Sequence, residues 1–120
     1  MSPPEFPAGA YVCELPIAAN RRGELIQEVE ELPARLRQLV GGMNDSQLDT
    51  RYKNWTVRQI VHHLADSHLN GVVRFRLALT EERPTIKNYD RARWAELSDS
   101  KTADVELFLR LLESLSLIHI

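Results

Sequence analysis

The residues best suited to chemistry in this chain are its histidines. His62, His63 and His68 lie close together in the segment WTVRQIVHHLADSH, and the remaining histidine, His119, stands apart near the end. An imidazole can ligate a divalent ion, and two on one helix converge on it when spaced i, i+4. The spacings here are one, five and six residues. At about 100° per residue, a five-residue separation leaves two rings some 140° apart. No pair on this helix chelates one ion, so at most one of these histidines is a ligand and its partners come from elsewhere. His63 shares a polar stripe with Gln59, Asp66, Asn70 and Arg74, at i+3 or i+4 from one another. His62 points roughly opposite, among Ala65, Leu69 and Val73, while His68 falls inside an apolar stripe. A polar stripe either faces solvent or lines a cavity between helices, where bundles place metal sites. A lone helix histidine is more often a surface or hydrogen-bonded core residue than a ligand. Ser67, His63 and Asp66 form a nucleophilic set on paper, but one helix cannot aim all three at one another. Cys13, in a proline-rich arm without a positive cluster, reads as an ordinary thiol.

Helices must position these side chains. Pro3, Pro4, Pro7 and Pro16 keep residues 1 to about 20 from forming a continuous helix, which predicts an extended arm laid over the body. Residues 23–40, GELIQEVEELPARLRQLV, place Leu25, Ile26, Val29, Leu32, Leu36, Leu39 and Val40 on one helical face. Pro33 predicts a kink or restart there, and Gly41 and Gly42 a stop. MNDSQLDTRYKN reads as a loop with room for one helical turn at 46–48, and no strand or hairpin signal stands out anywhere. Thr56 followed by Gln59 is a capping box that starts a second helix running to about Leu79, with Val57, Ile60, Leu64, Val72 and Phe75 as its apolar stripe. A connector follows, with a short helix expected at 91–97. A third helix from about Thr102 carries Val105, Phe108, Leu111, Leu112 and Leu115 on one stripe.

Composition narrows the class. With 120 residues, 43% hydrophobic and 27% charged, the chain reads as one soluble domain. A formal charge of −2 supplies no field to recruit nucleic acid or an anionic membrane. Apolar runs are too short to span a bilayer, the opening MSPPEFPAGAYVCELP lacks the pattern of a signal peptide, and a single cysteine permits no internal disulfide. These features predict a cytoplasmic all-α protein.

The segment NDSQLDTRYKNWTVRQIVHHLADSHLNGVVRFRLALTEERPTIKNYDRARWAELSDSKTAD resembles the YfiT-like branch of the DinB superfamily. The likeness is dense from roughly Ala34 to Asp104 and looser in the arm, at FPAGAY. That branch is described as metal-dependent hydrolases and is related to bacillithiol S-transferases. The resemblance implies an up-and-down four-helix bundle, usually a homodimer, holding one divalent ion, zinc or nickel, through three histidines. One ligand comes from the second helix and two from an HxxxH pair on the last. The second-helix ligand is the histidine just before the leucine of HHLADSH, here His63; His62 and His68 are not carried over. Asp66 and Asn70 are candidates to support that ligand or to face the substrate, with a solvated polar face as the alternative.

The chain departs from the family after LLESL, where it reads SLIHI and ends. The expectation is a single domain over 1–120 that is incomplete at its C-terminus, with about three of the four helices and a tail at 116–120 that does not match. His119 is not expected to substitute for the missing ligands, so the site reduces to His63 and the 120-residue chain is expected to be inactive. Unpartnered apolar strips predict low solubility, a molten state or self-association. The function expected of the parent is hydrolysis of a small molecule by water activated on the ion. The alternatives are transfer of a low-molecular-weight thiol on the same ion, or a non-catalytic helical interaction module.

Overall fold

The computed structural model describes residues 9–13 and 15–119, His119 through its backbone alone. Three long helices dominate: α1 (Ala19–Val40), α3 (Val57–Thr80) and α6 (Val105–His119). Between them lie three short helices, α2 (Asp45–Leu48), α4 (Arg91–Ala95) and α5 (Ser98–Thr102), and a two-stranded hairpin, β1 (Arg51–Tyr52) with β2 (Trp55–Thr56). Helix α6 packs against both α3 and α1, while α4 and α5 pack against α3.

Helix α1 begins a turn earlier than its periodicity indicates and runs through Pro33 as one element. Proline removes one N–H from the ladder, but Pro33 is buried, so the ring is packed rather than expelled. Burial is confined to the second half, at Pro33, Leu36 and Val40, whereas Ile26 and Leu39 are exposed. Gly41 ends the helix in right-handed conformation, its N–H donating to the Arg37 carbonyl at 2.8 Å. An added Cβ there would sit 2.7 Å from that oxygen, so the stop uses glycine for close approach rather than for a left-handed backbone. In the preceding arm, Tyr11, Val12 and Leu15 are exposed rather than laid against the body. Residues 1–8 and 14 of the arm, and Ile120 of the tail, lie outside the described residues; 116–119 continue α6.

The segment expected as a loop is structured. Asn44 and Gln47 form a reciprocal capping box on α2. Arg51 then pairs with Thr56, and Tyr52 with Trp55, around a turn in which Lys53 takes φ 57°. The Arg51 guanidinium donates to the Asn54 carbonyl at 2.9 Å and closes the turn. Lys-Asn is not a usual hairpin dipeptide, and two residues per strand show no alternation, which is why no strand was legible. The capping box at Thr56 and Gln59 forms as expected. The Gln59 amide also donates through Nε2 to the Ala95 carbonyl at 2.7 Å, tying α4 to the start of α3.

One turn into α3, Arg58 is 5% exposed and its guanidinium holds three partners. Nε donates to Asp49 Oδ1, Nη2 to Asp45 Oδ1 and Nη1 to the Ala103 carbonyl, each at 2.9 Å. Helix α3 buries the face that Arg58 begins: Arg58, Val61, His62 and Ala65, at i, i+3, i+4 and i+7. This corrects the expected stripe, since Val57 and Leu64 only flank the core and Phe75 is 63% exposed. The core joins Val61 and Ala65 to Leu36 and Val40 of α1, Leu48 of α2, and Val105, Leu109 and Leu112 of α6. On α6 the expected Val105, Leu112 and Leu115 are buried and Phe108 packs against the core, but Leu109 takes the place expected for Leu111, which is exposed. Arg37 links α1 to α6 by donating to Glu106 and Glu113, both at 2.7 Å.

His62 is the costly member of this core. Its ring is 1% exposed, lies 3.3 Å centroid to centroid from Phe108, and neither nitrogen has a hydrogen-bond partner among the described residues. Burial, reinforced by the Arg58 charge and opposed by Asp99, pushes its pKa from 6.5 down to about 4. The unfolded chain therefore binds this proton first as pH falls. Stability is full above about pH 6.5 and declines through about pH 4, by up to about 3 kcal/mol. His62→Leu should raise stability at pH 7 by about 1–2 kcal/mol, by removing two unsatisfied polar atoms, and should flatten the acid limb in urea titrations. A destabilised variant with the acid limb intact would contradict this reading. Arg58→Met should cost about 2–3 kcal/mol in the same titrations, because the Ala103 carbonyl and two carboxylates lose their donor. A loss below about 0.5 kcal/mol would mean the cluster behaves as an ordinary surface pair.

Candidate metal centre

One residue along α3 turns the helix by about 100°. With His62 in the core, His63 is thereby directed to one side, where it is half-buried against the hairpin. The Trp55 ring of β2 lies 4.9 Å from the His63 ring at an interplanar angle of 49°. Both line a cleft of about 690 Å³ bounded by the hairpin, α3 and α4, with Ile60, Arg91 and Arg93 among its walls. Burial, and then the positive charge of Arg91, lower the His63 pKa below its ordinary value. The ring is neutral at physiological pH, the form that donates a lone pair to a metal.

The other candidates are placed differently. Asp66, one turn on, is half-buried, and burial followed by the charge of Asp99 raises its pKa. Asn70 donates through Nδ2 to the Asp66 carbonyl at 2.8 Å. Its side chain lines a neighbouring cavity of about 480 Å³ with Arg74, Tyr89 and Trp94, rather than the cleft of His63. The His68 Nδ1 lies 3.0 Å from the Leu64 carbonyl of its own helix. Ser67 and Cys13 are exposed. The side chain of His119 lies outside the described residues.

Zinc sites take three or four protein ligands. Among the described residues no group of three histidine, cysteine or acidic side chains converges to hold an ion. His63 fits as one donor of such a site, and the described residues do not complete it. Sequence reasoning singled out His63 but missed the groups that surround it. Trp55 could have been found from its place just before the Thr56 cap, and the two arginines from the RARW run, whose approach to His63 depends on the Gln59–Ala95 hydrogen bond.

Comparison with known proteins extends this picture. The sequence profile of the DinB superfamily matches residues 28–117. "Putative metal-dependent hydrolase YfiT" of Bacillus subtilis (strain 168) is 53% identical over 112 residues, covering 92% of this chain and 63% of that protein. A "Putative metal-dependent hydrolase" of Bacillus anthracis (strain A0248) is 47% identical over 112 residues, covering 92% of this chain and 64% of its own. Among solved structures, one described as "YfiT from Bacillus subtilis is a probable metal-dependent hydrolase with an unusual four-helix bundle topology" superposes with a TM-score of 0.87 at 53% identity, over 92% of this chain and 64% of that one. The chain thus spans somewhat under two thirds of the length of the curated relatives it matches. No described helix is long and apolar enough to cross a membrane. By profile, sequence identity and superposition together, the chain belongs to the DinB superfamily, in its YfiT-like branch.

Proposed function

We propose that this chain is the His63-bearing portion of a metal-dependent hydrolase acting on a small molecule. The observation that carries the reading is a neutral, half-buried imidazole facing a cleft of about 690 Å³, in a family whose relatives are named metal-dependent hydrolases. The ion is divalent, zinc or nickel, and His63 is its donor from α3. The HxxxH pair that the family resemblance assigns to a last helix has no counterpart among His62, His63, His68 and His119. On this reading His63 is one of three donors, and the other two are not among the described residues. A bound ion would supply Lewis acidity and a water of lowered pKa. Asp66 and Asn70 are proposed to support the donor helix or meet the substrate, and the working assembly to be a cytoplasmic homodimer.

Two further readings share this scaffold. Thiol transfer would use the same donor, with a low-molecular-weight thiol in place of water. A helical interaction module is favoured by a specific observation: Leu39 of α1, Phe75 and Leu79 of α3, and Leu107 and Leu117 of α6 are all more than half exposed, so each long helix carries apolar side chains available for packing against a further helix.

Zinc equilibrium dialysis separates the two metal-centred readings, which share His63 as donor, from the interaction module. The 120-residue chain would be measured alone and after adding, as a separate polypeptide, the length of the Bacillus subtilis relative that it does not span. The expected result is weak binding alone, tightening by at least about 100-fold on addition, with the gain abolished in His63→Ala. A gain that persists in His63→Ala would overturn the ligand assignment. Association without any gain in zinc affinity would favour the interaction module.

A further inference from the structure

The cleft beside His63 carries a second chemistry that its imidazole does not explain. Lys53, Arg91 and Arg93 all line it, in a chain whose formal charge is −2. Among the described residues the one carboxylate on its wall, Glu96, is engaged by Lys101 at 2.6 Å, which also lowers the Glu96 pKa. Neither the Arg91 nor the Arg93 guanidinium has an ion-pair partner among the described residues, whereas Arg37 and Arg58 each hold two carboxylates.

These cations are positioned, not merely present. Arg91 and Arg93 stand on α4, which is capped by Asp90 through the Arg93 N–H at 3.1 Å. The same helix is anchored to α3 by the buried Gln59–Ala95 hydrogen bond. Lys53 sits at the hairpin turn, over the Tyr52 ring. The Arg91 charge reaches the His63 ring, one cause of that ring's lowered pKa. Trp55 and Ile60 supply apolar wall between the cations and the imidazole. Guanidinium groups recognise planar or tetrahedral oxyanions through paired N–H donors, and the exposed positions of Lys53, Arg91 and Arg93 leave their donors accessible to a ligand.

We infer that this cleft takes the oxyanion end of the substrate, a carboxylate or a phosphate monoester, on Arg91, Arg93 and Lys53, with the apolar part of the molecule against Trp55. The inference rests on the reading of His63 as the metal donor, because it makes the cations a specificity element beside the reacting end. The oxyanion would be held by these charges while the far end of the molecule lies toward His63.

The test uses the 120-residue chain stripped of metal on a chelating resin, with benzoate, phenyl phosphate and neutral benzamide as probes. The Trp55 indole N–H resonance is the readout, and far-UV circular dichroism confirms that each variant is folded. Benzoate or phenyl phosphate should shift that resonance at least about tenfold more tightly than benzamide, and added sodium chloride should weaken the effect. The tighter of the two anions identifies the oxyanion. Arg91→Gln combined with Arg93→Gln should weaken anion binding by about tenfold, whereas Arg110→Gln, which removes an exposed cation of α6 outside the cleft, should leave it in place. Equal binding of benzamide, or anion binding unchanged in the double arginine variant, would overturn the inference while leaving zinc affinity to judge the metal donor separately. Anion binding without His63-dependent zinc binding would instead overturn the metal reading alone.

Discussion

The arrangement depends most on the buried guanidinium of Arg58. It sits on the first turn of α3 and donates to Asp45, Asp49 and the Ala103 carbonyl, so it joins α2, the hairpin approach, α3 and the end of α5. Two of its partners are carboxylates that remain largely in water, at 90% and 52% side-chain exposure. Their attraction is therefore modest, and the directional requirement of three donors in a rigid plane matters more than the summed charge. Satisfying all three fixes how α3 is rotated about its axis. Residues at i+3, i+4 and i+7 from Arg58 then face α6, and the remainder of the helix follows from its period.

That rotation decides the fate of two adjacent histidines. His62 goes to the core, where its nitrogens find no partner and its charge is strongly disfavoured. A leucine would serve better for packing alone. His63 emerges at the side, against Trp55, in a cleft whose remaining walls come from the hairpin and α4. Gln59 serves this geometry as well, since one amide both closes the cap on α3 and holds α4 through Ala95. The cap, the clamp and the cleft are thus built from consecutive turns of one helix. An imidazole kept neutral beside two guanidinium groups can act as a donor next to a site that attracts anions.

Much of this was legible in the sequence. The Thr56–Gln59 cap, three long helices, a short helix after Asp90 and the distinct setting of His63 all follow from local spacing. The rotation of α3 did not, because the helix carries two overlapping apolar stripes. Val57, Ile60 and Leu64 compete with Val61 and Ala65, and only the tertiary partners of Arg58 choose between them. Continuity through Pro33 was hidden for a similar reason, as burial of the ring offsets the lost N–H. The hairpin was hidden because Lys53 adopts a left-handed backbone without the glycine or asparagine that usually advertises one. The approach of Arg91 and Arg93 to His63 is a property of how the connector folds back, and no local pattern encodes it.

On the proposed reading, the rotation of α3 selects His63, and neither His62 nor His68 of that helix, as the metal donor. Substoichiometric nickel added to the 120-residue chain, followed by carbon–proton spectra of the individual imidazole rings, tests it most directly. Paramagnetic broadening should fall on the His63 ring while those of His62 and His68 stay sharp. Broadening of His62 or His68 with His63 untouched would contradict the account.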